Sequence, residues 1–420
     1  MSLPTGFTVE INFVGPESDV LILDDVTRGL FDTGTFGGSD LSWVDVTPYV
    51  RSGSITRGVS RFEGVYGRAE AGRAEVVLDN ADARFDPSNL AGPYVAAGAT
   101  QVLPMVAWRI RCYGLDLWRG FADAWTLDYP LFNHDAVCTL TGTDGTKVLA
   151  QFNGAEQAPQ GAGELPGARI ARILDNADWP AEERDLDAGL TTLAATTLAA
   201  AAWTDVALTS DTELGEVYFT PAGKLRFRGR DALSTETRSS TVQATFSDTG
   251  ADLPFQTIEI ATDDTQLANE VRIGGPGFTP EQVADDLTSQ LRFLKRSFVR
   301  SDLLMQTTTV ANDYAHAVLG LLLDPELRID AITLTPWRDP DTLFPAVLGR
   351  ELGDRVAVEF TPLGRTGNPI ERECFVRGIE HTFAAQTWVS RLVLQDASRL
   401  VFLVFDHPVL GVLDANKLGF

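Results

Sequence analysis

A mainly β fold interrupted by a smaller α+β insert, with two similar β barrels flanking it if a repeat described below is a duplication, is what three features of this 420-residue sequence predict. Apolar and polar residues alternate with period two up to about residue 148, and again from about residue 247. Between those regions the texture turns Gly-, Pro- and Gln-rich and then takes on helical spacing. The two β regions also share a short ordered pattern, described below.

In the first region Ala74, Val76 and Leu78 alternate with Glu75 and Asp79. Trp108, Ile110 and Cys112 alternate with Arg109 and Arg111, and Ala136, Cys138 and Leu140 with threonines. Each run predicts a half-buried strand. Turn-rich stretches such as NADARFDPSNLAGP separate them. QFNGAEQAPQGAGELPG then reads as a linker or long loop. Ile170, Ile173 and Leu174 predict a helix in GARIARILDNADWP. Ala199, Trp203, Val206 and Ala207 predict a second. EVYFTPAGKLRFRGR predicts a hairpin that turns at Pro221–Lys224. In the last region Val310, Tyr314, Ala317, Val318 and Leu321 form a helical stripe that Pro325 ends, placing a helix near 308–323. Strands resume at RVAVEF, ECFVRGIEHTF and WVSRLVLQD. The expected domains are 1–148, 149–246 and 247–399, with 400–420 as a C-terminal segment.

Composition narrows the class. Hydrophobic residues make up 44% and charged residues 22%, as in a folded soluble protein. The formal charge is −24 with scattered cations, which repels nucleic acid and anionic membranes. Cys112, Cys138 and Cys374 are an odd count without close spacing, so neither a disulfide framework nor a zinc site is indicated, and buried thiols are expected. MSLPTGFTVEINF lacks a basic start and an apolar core, so no secretory signal is predicted. The apolar run Leu400–Phe405 is far shorter than the ~20 residues that span a bilayer. Folding in a cytoplasm is expected.

The pentapeptide LDNAD occurs at Leu78–Asp82 and at Leu174–Asp178. The first ends a period-two strand and the second a helical pattern, so it does not mark a structural repeat. Asp and Asn at element ends bond their own backbone, which accounts for both. A calcium loop needs oxygen ligands at alternate positions. Counted from Asp79, the third and fifth positions are Ala81 and Ala83, so no metal site is predicted.

A stronger repeat links RIRCYG, LWRGFADAW and AVCTLTGTDG with RVAVEF, CFVRGIEHTF and WVSRLVLQD. In each set a strand precedes apolar-Arg-Gly-apolar (Trp118–Phe121 and Val376–Ile379). An acid follows (Asp123, Glu380), and an alternating strand ends at Asp144 or Asp396. Duplication of a β barrel and chance similarity between β-rich stretches both fit this pattern.

No catalytic constellation emerges. The chain lacks Gly-x-Ser-x-Gly, a phosphate-cradling Gly-Lys-Ser/Thr loop and His-Glu-x-x-His, and Gly274–Gly277 is not followed by a dinucleotide pattern. Four histidines are unpaired by spacing: His134 in a turn, His316 beside the helical stripe, His381 after a strand, and His407 before Pro408. Among 58 acids a glycosidase pair can always be nominated, which makes the nomination uninformative without geometry. Trp43, Trp108, Trp118 and Trp125 lie in strand-like runs, where core packing outweighs a sugar-binding face. The expectation is a non-enzyme without cofactor.

Trp43, Asp45, Val46, Thr47, Tyr49, Val50 and Arg51 form a Trp-x-Asp-Val-Thr-x-Tyr-Val-Arg opening. Thr56, Arg57 and Gly58 follow as a Thr-Arg-Gly strand. Then comes a turn built from Leu78, Asp79, Asn80, Asp82, Arg84, Phe85, Asp86 and Pro87. Arg119 and Gly120 continue the series after Trp118. Near the end stand Gly411, Leu413, Asp414, Asn416, Leu418 and Gly419. This ordered set resembles the minor tail proteins of long-tailed, siphovirus-type phages that infect actinobacteria. The resemblance touches both ends of the chain and, through LLLDPELR, its middle.

The resemblance implies a structural tail-tip protein like the baseplate hub of contractile-tailed phages. Such hubs form trimeric rings in which each subunit carries two tube-like β domains, giving pseudo-six-fold symmetry. The implied partners are further copies, the tape-measure protein, the distal-tail protein and tip or fibre proteins. Genomic DNA would pass through unbound, and the subunit would sit at the virion tail tip after assembly in the host bacterial cytoplasm. Arg84 and Asp86 are expected to form a local or intersubunit ion pair. Acidic residues are expected either to line the bore or simply to solvate the surface. The alternatives are a hexameric distal-tail ring with a carbohydrate- or fibre-binding module, a cell-wall-degrading tail hydrolase, and a free carbohydrate-binding protein.

Overall fold

The structure is a computed structural model. It describes residues 3–13, 43–61, 69–96, 98–130, 135–154, 158, 163–198, 201–250, 252–323, 325, 327–365, 367–397, 402–403 and 417–418. It is mainly β with few helices. The chain divides into two compact units that interleave in sequence. Unit 1 comprises residues 1–55, 73–144 and 382–387, and unit 2 comprises 56–72, 145–381 and 388–420.

The strands met first along the chain are β1 (Thr8–Asn12), β2 (Trp43–Asp45), β3 (Val50–Gly58) and β4 (Glu70–Asp79). They are followed by β5 (Ala107–Cys112), β6 (Leu115–Asp128) and β7 (Val137–Thr143). Within unit 1 the strand order is β4–β7–β6–β5–β1–β2. All five neighbouring pairs are antiparallel. The alternation seen in the sequence sets the inner face: Ala74, Val76 and Leu78 on β4 are buried, as are Trp108, Ile110 and Cys112 on β5 and Cys138 and Leu140 on β7. The Trp108 and Trp118 rings meet at 4.5 Å between centroids in this core. The pairing of β6 with β7 slips between Ala122 and Ala124, leaving Asp123 at a bulge. There its carboxylate accepts a hydrogen bond from Thr143 Oγ1 (2.7 Å).

Unit 2 opens with α1 (Thr146–Gln151), α2 (Pro166–Asn176), β8 (Arg184–Leu186) and α3 (Ala202–Glu213). The hairpin β9 (Glu216–Phe219) and β10 (Leu225–Arg228) follows. Ile170, Ile173 and Leu174 are buried on α2, as their spacing predicts. The hairpin closes through Thr220 N to the Lys224 carbonyl. On α3 Val206 is buried and Trp203 half-buried, while Ala199 lies outside the described residues. What the spacing misses is the polar end of α3: Thr209, Ser210, Asp211, Thr212 and Glu213 are all buried.

The rest of unit 2 contains β11 (Val242–Ser247), β12 (Thr257–Ala261), β13 (Glu270–Gly275), β14 (Phe278–Asp285), α4 (Leu287–Phe293), β15 (Ser297–Arg300) and α5 (Thr308–Leu322). It continues with β16 (Arg328–Leu334), α6 (Pro340–Leu348), β17 (Arg355–Phe360), β18 (Ile370–Ala384) and β19 (Thr387–Asp396). A three-stranded sheet, β14–β13–β15, packs Val271, Ile273 and Ala284 beneath α5. The buried face of α5 carries Ala311, Ala315, Val318 and Leu322, with Tyr314. Val310 and Leu321 of the expected stripe are only half-buried. A second run of strands takes the order β12–β16–β19–β18–β17–β11. Its core includes Phe246, Ile332, Leu334, Val356, Val358, Cys374, Val376, Leu392 and Leu394.

The two runs share an order. In unit 1, β5, β6 and β7 are sequential neighbours, and β4 flanks β7. In unit 2, β17, β18 and β19 are sequential neighbours, and β16 flanks β19. The middle strands are the two longest among the described residues, at 14 and 15 residues. The likeness ends one strand further out: β1 joins β5 antiparallel, but β11 joins β17 parallel.

Candidate functional site

The motif residues of unit 1 gather into two surface groups. In the first, strand register aligns Asp45, Glu10, Arg109 and Arg119 across four strands, since each is the pairing partner of the next. Only the central pair, Glu10 and Arg109, is of opposite charge and attracts, whereas the two flanking pairs are like-charged. Arg109 Nε donates to Glu10 Oε2 at 2.8 Å. The half-buried Trp43 ring lies under both guanidinium groups, with Arg109 at 4.2 Å and Arg119 at 5.9 Å from its centroid. Asp45 turns away and accepts from Thr47 N (2.8 Å), fixing the turn that leads to Tyr49.

The second group is the loop that follows β4. Arg51 bridges two carboxylates, donating to Asp79 (2.8 Å) and bidentately to Asp135 (2.8 and 2.7 Å). The Ala81 amide and then Arg51 hold the Asp79 carboxyl below its ordinary range, and Arg51 does the same for Asp135. Asp135 carries no motif signature. Only the β4–β7 register, which pairs Asp79 with Val137, could have revealed it. Asn80 is buried, and its Oδ1 accepts from Phe85 N (2.9 Å), closing the turn over Ala83, whose φ is +55°. Phe85 is fully buried between Tyr94 and Trp125, with ring centroids at 5.5 and 6.1 Å, and meets the Tyr49 edge at 5.8 Å.

Within the subunit Arg84 pairs with Asp82 and not with Asp86. Arg84 binds Asp82, with Nε 3.0 and 2.9 Å from its two oxygens, and lies 3.7 Å over the Tyr49 ring. The tight turn folds residue 82 back onto residue 84. Asp86 opens the next turn, accepting from the Ser88 amide (2.8 Å) and hydroxyl (2.7 Å).

The Arg-Gly pairs of the repeat sit on the two long middle strands. A Cβ at Gly120 would come within 2.5 Å of the Thr143 carbonyl oxygen and 2.6 Å of the Trp118 ring. At Gly378 it would come within 2.0 Å of the Val59 carbonyl oxygen. Both glycines are therefore required by close backbone approach. The arginines differ. Arg119 is half-exposed on Trp43, whereas Arg377 is buried with Glu216 and Gln395. The acids of the repeat both reach the following strand, Asp123 to Thr143 and Glu380 to Arg391 (3.2 Å).

Arg57 belongs to a buried charge network in unit 2. It donates to Glu351 (2.7 and 3.2 Å) and to the Phe219 carbonyl (3.3 Å). Glu213, fully buried at the end of α3, accepts the amides of Leu190 (2.9 Å) and Thr191 (2.7 Å). Period counting does not find such residues, because their partners lie far away in sequence.

None of these groups is arranged for chemistry. A cavity of about 340 Å³ in unit 2 is lined by Trp203, Leu208, Val217, Asp211 and Asp302, among others. Both acids are held by Arg300, at 3.0 and 2.8 Å. His381 stands inside β18 rather than after a strand. It is buried, its Nδ1 lies 2.8 Å from Ser390 Oγ, and burial pushes its pKa down to about 3. His316 is exposed on α5, and His134 and His407 lie outside the described residues. All three thiols are buried as expected. Burial pushes those of Cys112 and Cys138 up to about 12 and that of Cys374 higher still. Trp108 and Trp118 are core residues, whereas Trp43 and Trp125 are half-buried. Among the described residues no group of three or more His, Cys, Asp or Glu could hold a metal ion. Nor is any described helix long and apolar enough to cross a membrane. Gly411, Leu413, Asp414 and Asn416 lie outside the described residues, while Leu418 pairs in a short ladder with Leu403.

No family model matches the sequence, and no curated protein does. Solved structures do match. A tail protein from Neisseria meningitidis MC58 is similar over 93% of this chain and 97% of its own, at 12% identity and a TM-score of 0.59. The 43 kDa tail protein of prophage MuSo2 from Shewanella oneidensis is similar over 94% of this chain and 98% of its own, at 11% identity and a TM-score of 0.52. Across nearly its whole length, the chain has the fold of these two tail proteins.

Proposed function

We propose that this chain is a structural hub subunit of a phage-type tail tip, not an enzyme. Three copies form a ring in which each contributes two similar strand-rich, tube-like domains, so that six near-equivalent faces meet the tail tube or distal tail on one side. The other side carries the tip or fibre proteins. The repeated strand order carries this reading: β4–β7–β6–β5 and β16–β19–β18–β17, each with an Arg-Gly pair on its middle strand. The full-length fold likeness to two tail proteins supports it. The motif groups around Trp43 and Arg84 then serve to stiffen the first domain, since their partners are local.

A ring at this position lets DNA through at ejection. Part of the net charge of −24 lines its bore, where carboxylates repel phosphates and give no counterion-release attraction. The test is the native mass of the purified chain at micromolar concentration. A trimer is expected. A hexamer would favour the distal-tail ring, and a ring whose bore is neutral or basic would remove the role given to the charge.

A further inference from the structure

We propose that the cavity beside α3 in unit 2 is a binding site for a neutral pyranose sugar. The inference goes beyond the hub reading and holds independently of it. Trp203, Ala207, Ser210 and Asp211 stand at i, i+4, i+7 and i+8 on α3, so one face of the helix borders the cavity. Val217 on β9 and Asp302, between β15 and α5, border it too. Its volume of about 340 Å³ lies within the range of small-molecule sites, ~300–1,000 Å³.

The lining combines an aromatic wall with buried polar groups. The half-buried Trp203 ring is backed by Phe219, at 6.3 Å between centroids and 27° between planes. Ser210 is only 3% exposed, and its hydroxyl makes no hydrogen bond among the described residues. Its neighbours on α3 behave otherwise: Thr209 and Thr212 donate back to the Asp205 and Leu208 carbonyls (2.7 and 2.8 Å). Buried hydroxyls ordinarily have partners, so this one calls for a partner from the cavity. Asp211 is 2% exposed. Arg300 fixes both acids, donating to Asp211 (3.0 Å) and to Asp302 (2.8 and 3.1 Å).

Charge and hydrogen bonding select the ligand class. Two carboxylates share one guanidinium here, so an anion such as phosphate meets an excess of negative charge. A cation competes with Arg300 for acids that Arg300 already holds by three hydrogen bonds. A purely apolar molecule leaves the buried Ser210 hydroxyl unpaired. Carboxylates only accept, so the ligand must offer several donors in a small volume. It must also offer an apolar face to Trp203 and Val217. A sugar does both: its hydroxyls donate to the acids and bond Ser210, while its C–H face lies on the indole.

Saturation-transfer NMR and titration calorimetry on the full chain test this. The probes are the methyl glycosides of glucose, galactose, mannose and N-acetylglucosamine, with maltose, lactose and chitobiose beside them. At least one is expected to bind with a Kd on the order of 1 mM. Ser210→Ala is expected to weaken that binding about threefold to tenfold. Ala207→Leu fills the cavity from α3 and is expected to abolish it, while both variants keep the wild-type circular dichroism. Trp203→Phe keeps an aromatic wall and part of the affinity. A disaccharide that binds tighter than its methyl glycoside supports the end of a glycan chain as the ligand, and equal binding supports a single free sugar. If no probe binds, or if Ala207→Leu binds like the wild type, the assignment is overturned. Inorganic phosphate that binds the wild type and not Ala207→Leu would overturn it as well, since the ligand would then be an anion.

Discussion

Adjacent residues of the turn after β4 should differ several-fold in what they contribute to stability. Phe85 is fully buried and packed on Tyr94, Trp125 and Tyr49. Truncating it to alanine removes a whole ring and leaves a cavity that the surrounding rings cannot fill, a loss of about 3–5 kcal/mol. Arg84 makes a surface pair with Asp82 and a stack on Tyr49, at side-chain exposures of 20% and 55% for the ion pair. An exposed pair is worth about 0–1 kcal/mol and an exposed stack about 0.5–1. Phe85→Ala should therefore cost about 3 kcal/mol more than Arg84→Ala, with Phe85→Leu in between. Urea unfolding followed by tryptophan fluorescence measures this directly, since Trp125 lies beside Phe85. Equal losses for the two alanine variants would refute the argument, because the turn would then be held by its ion pair and not by its ring.

Four other outcomes follow from the same structure. Gly120→Ala and Gly378→Ala should each destabilise by about 1–3 kcal/mol, because the added methyl meets a backbone oxygen. Gly320→Ala, with open space around it on α5, should stabilise by about 0.5–1 kcal/mol in the same melts. Arg57→Met should cost about 3 kcal/mol, the low end for a broken buried pair because Glu351 is 24% exposed. The double variant with Glu351→Leu should recover most of that loss in a double-mutant cycle. Asp79 and Asp135 have folded pKa values below their unfolded ones, so their contribution is complete above the ordinary carboxylate range near pH 4. It is lost as pH falls through the folded values. Carboxyl carbon NMR should show both midpoints moving up in Arg51→Met, Asp135 by more, since Arg51 bonds Asp135 twice and Asp79 once.

Much of the fold was legible because burial follows periodicity. Val76, Leu78, Trp108, Ile110 and Cys138 alternate in sequence and lie on one inner face, and Ile170, Ile173 and Leu174 share one side of α2. The Arg-Gly repeat was legible too, since the backbone approach at Gly120 and Gly378 tolerates no side chain. What stayed hidden were pairings made across long separations. Arg51 finds Asp135 and Arg57 finds Glu351 only once the strands are in register. The buried acids at the end of α3 stayed unread, because no local pattern announces their partners. The resemblance also suggested an ion pair of Arg84 with Asp86, whereas within the subunit the turn's own geometry selects Asp82.

The sequence interleaving of the two units sets a schedule for synthesis. Phe7, near the start, packs its ring on Phe383 at 5.0 Å, and both belong to unit 1. Gly53 is kept free of a side chain partly by that same Phe383 ring. At roughly 5–20 residues per second, the ribosome takes on the order of twenty to seventy-five seconds to deliver Phe383 after Phe7. Until then unit 1 has the strands of its sheet, complete by Thr143, but lacks a piece of its core. Shortening the chain before residue 387 should yield insoluble protein and not a smaller folded domain.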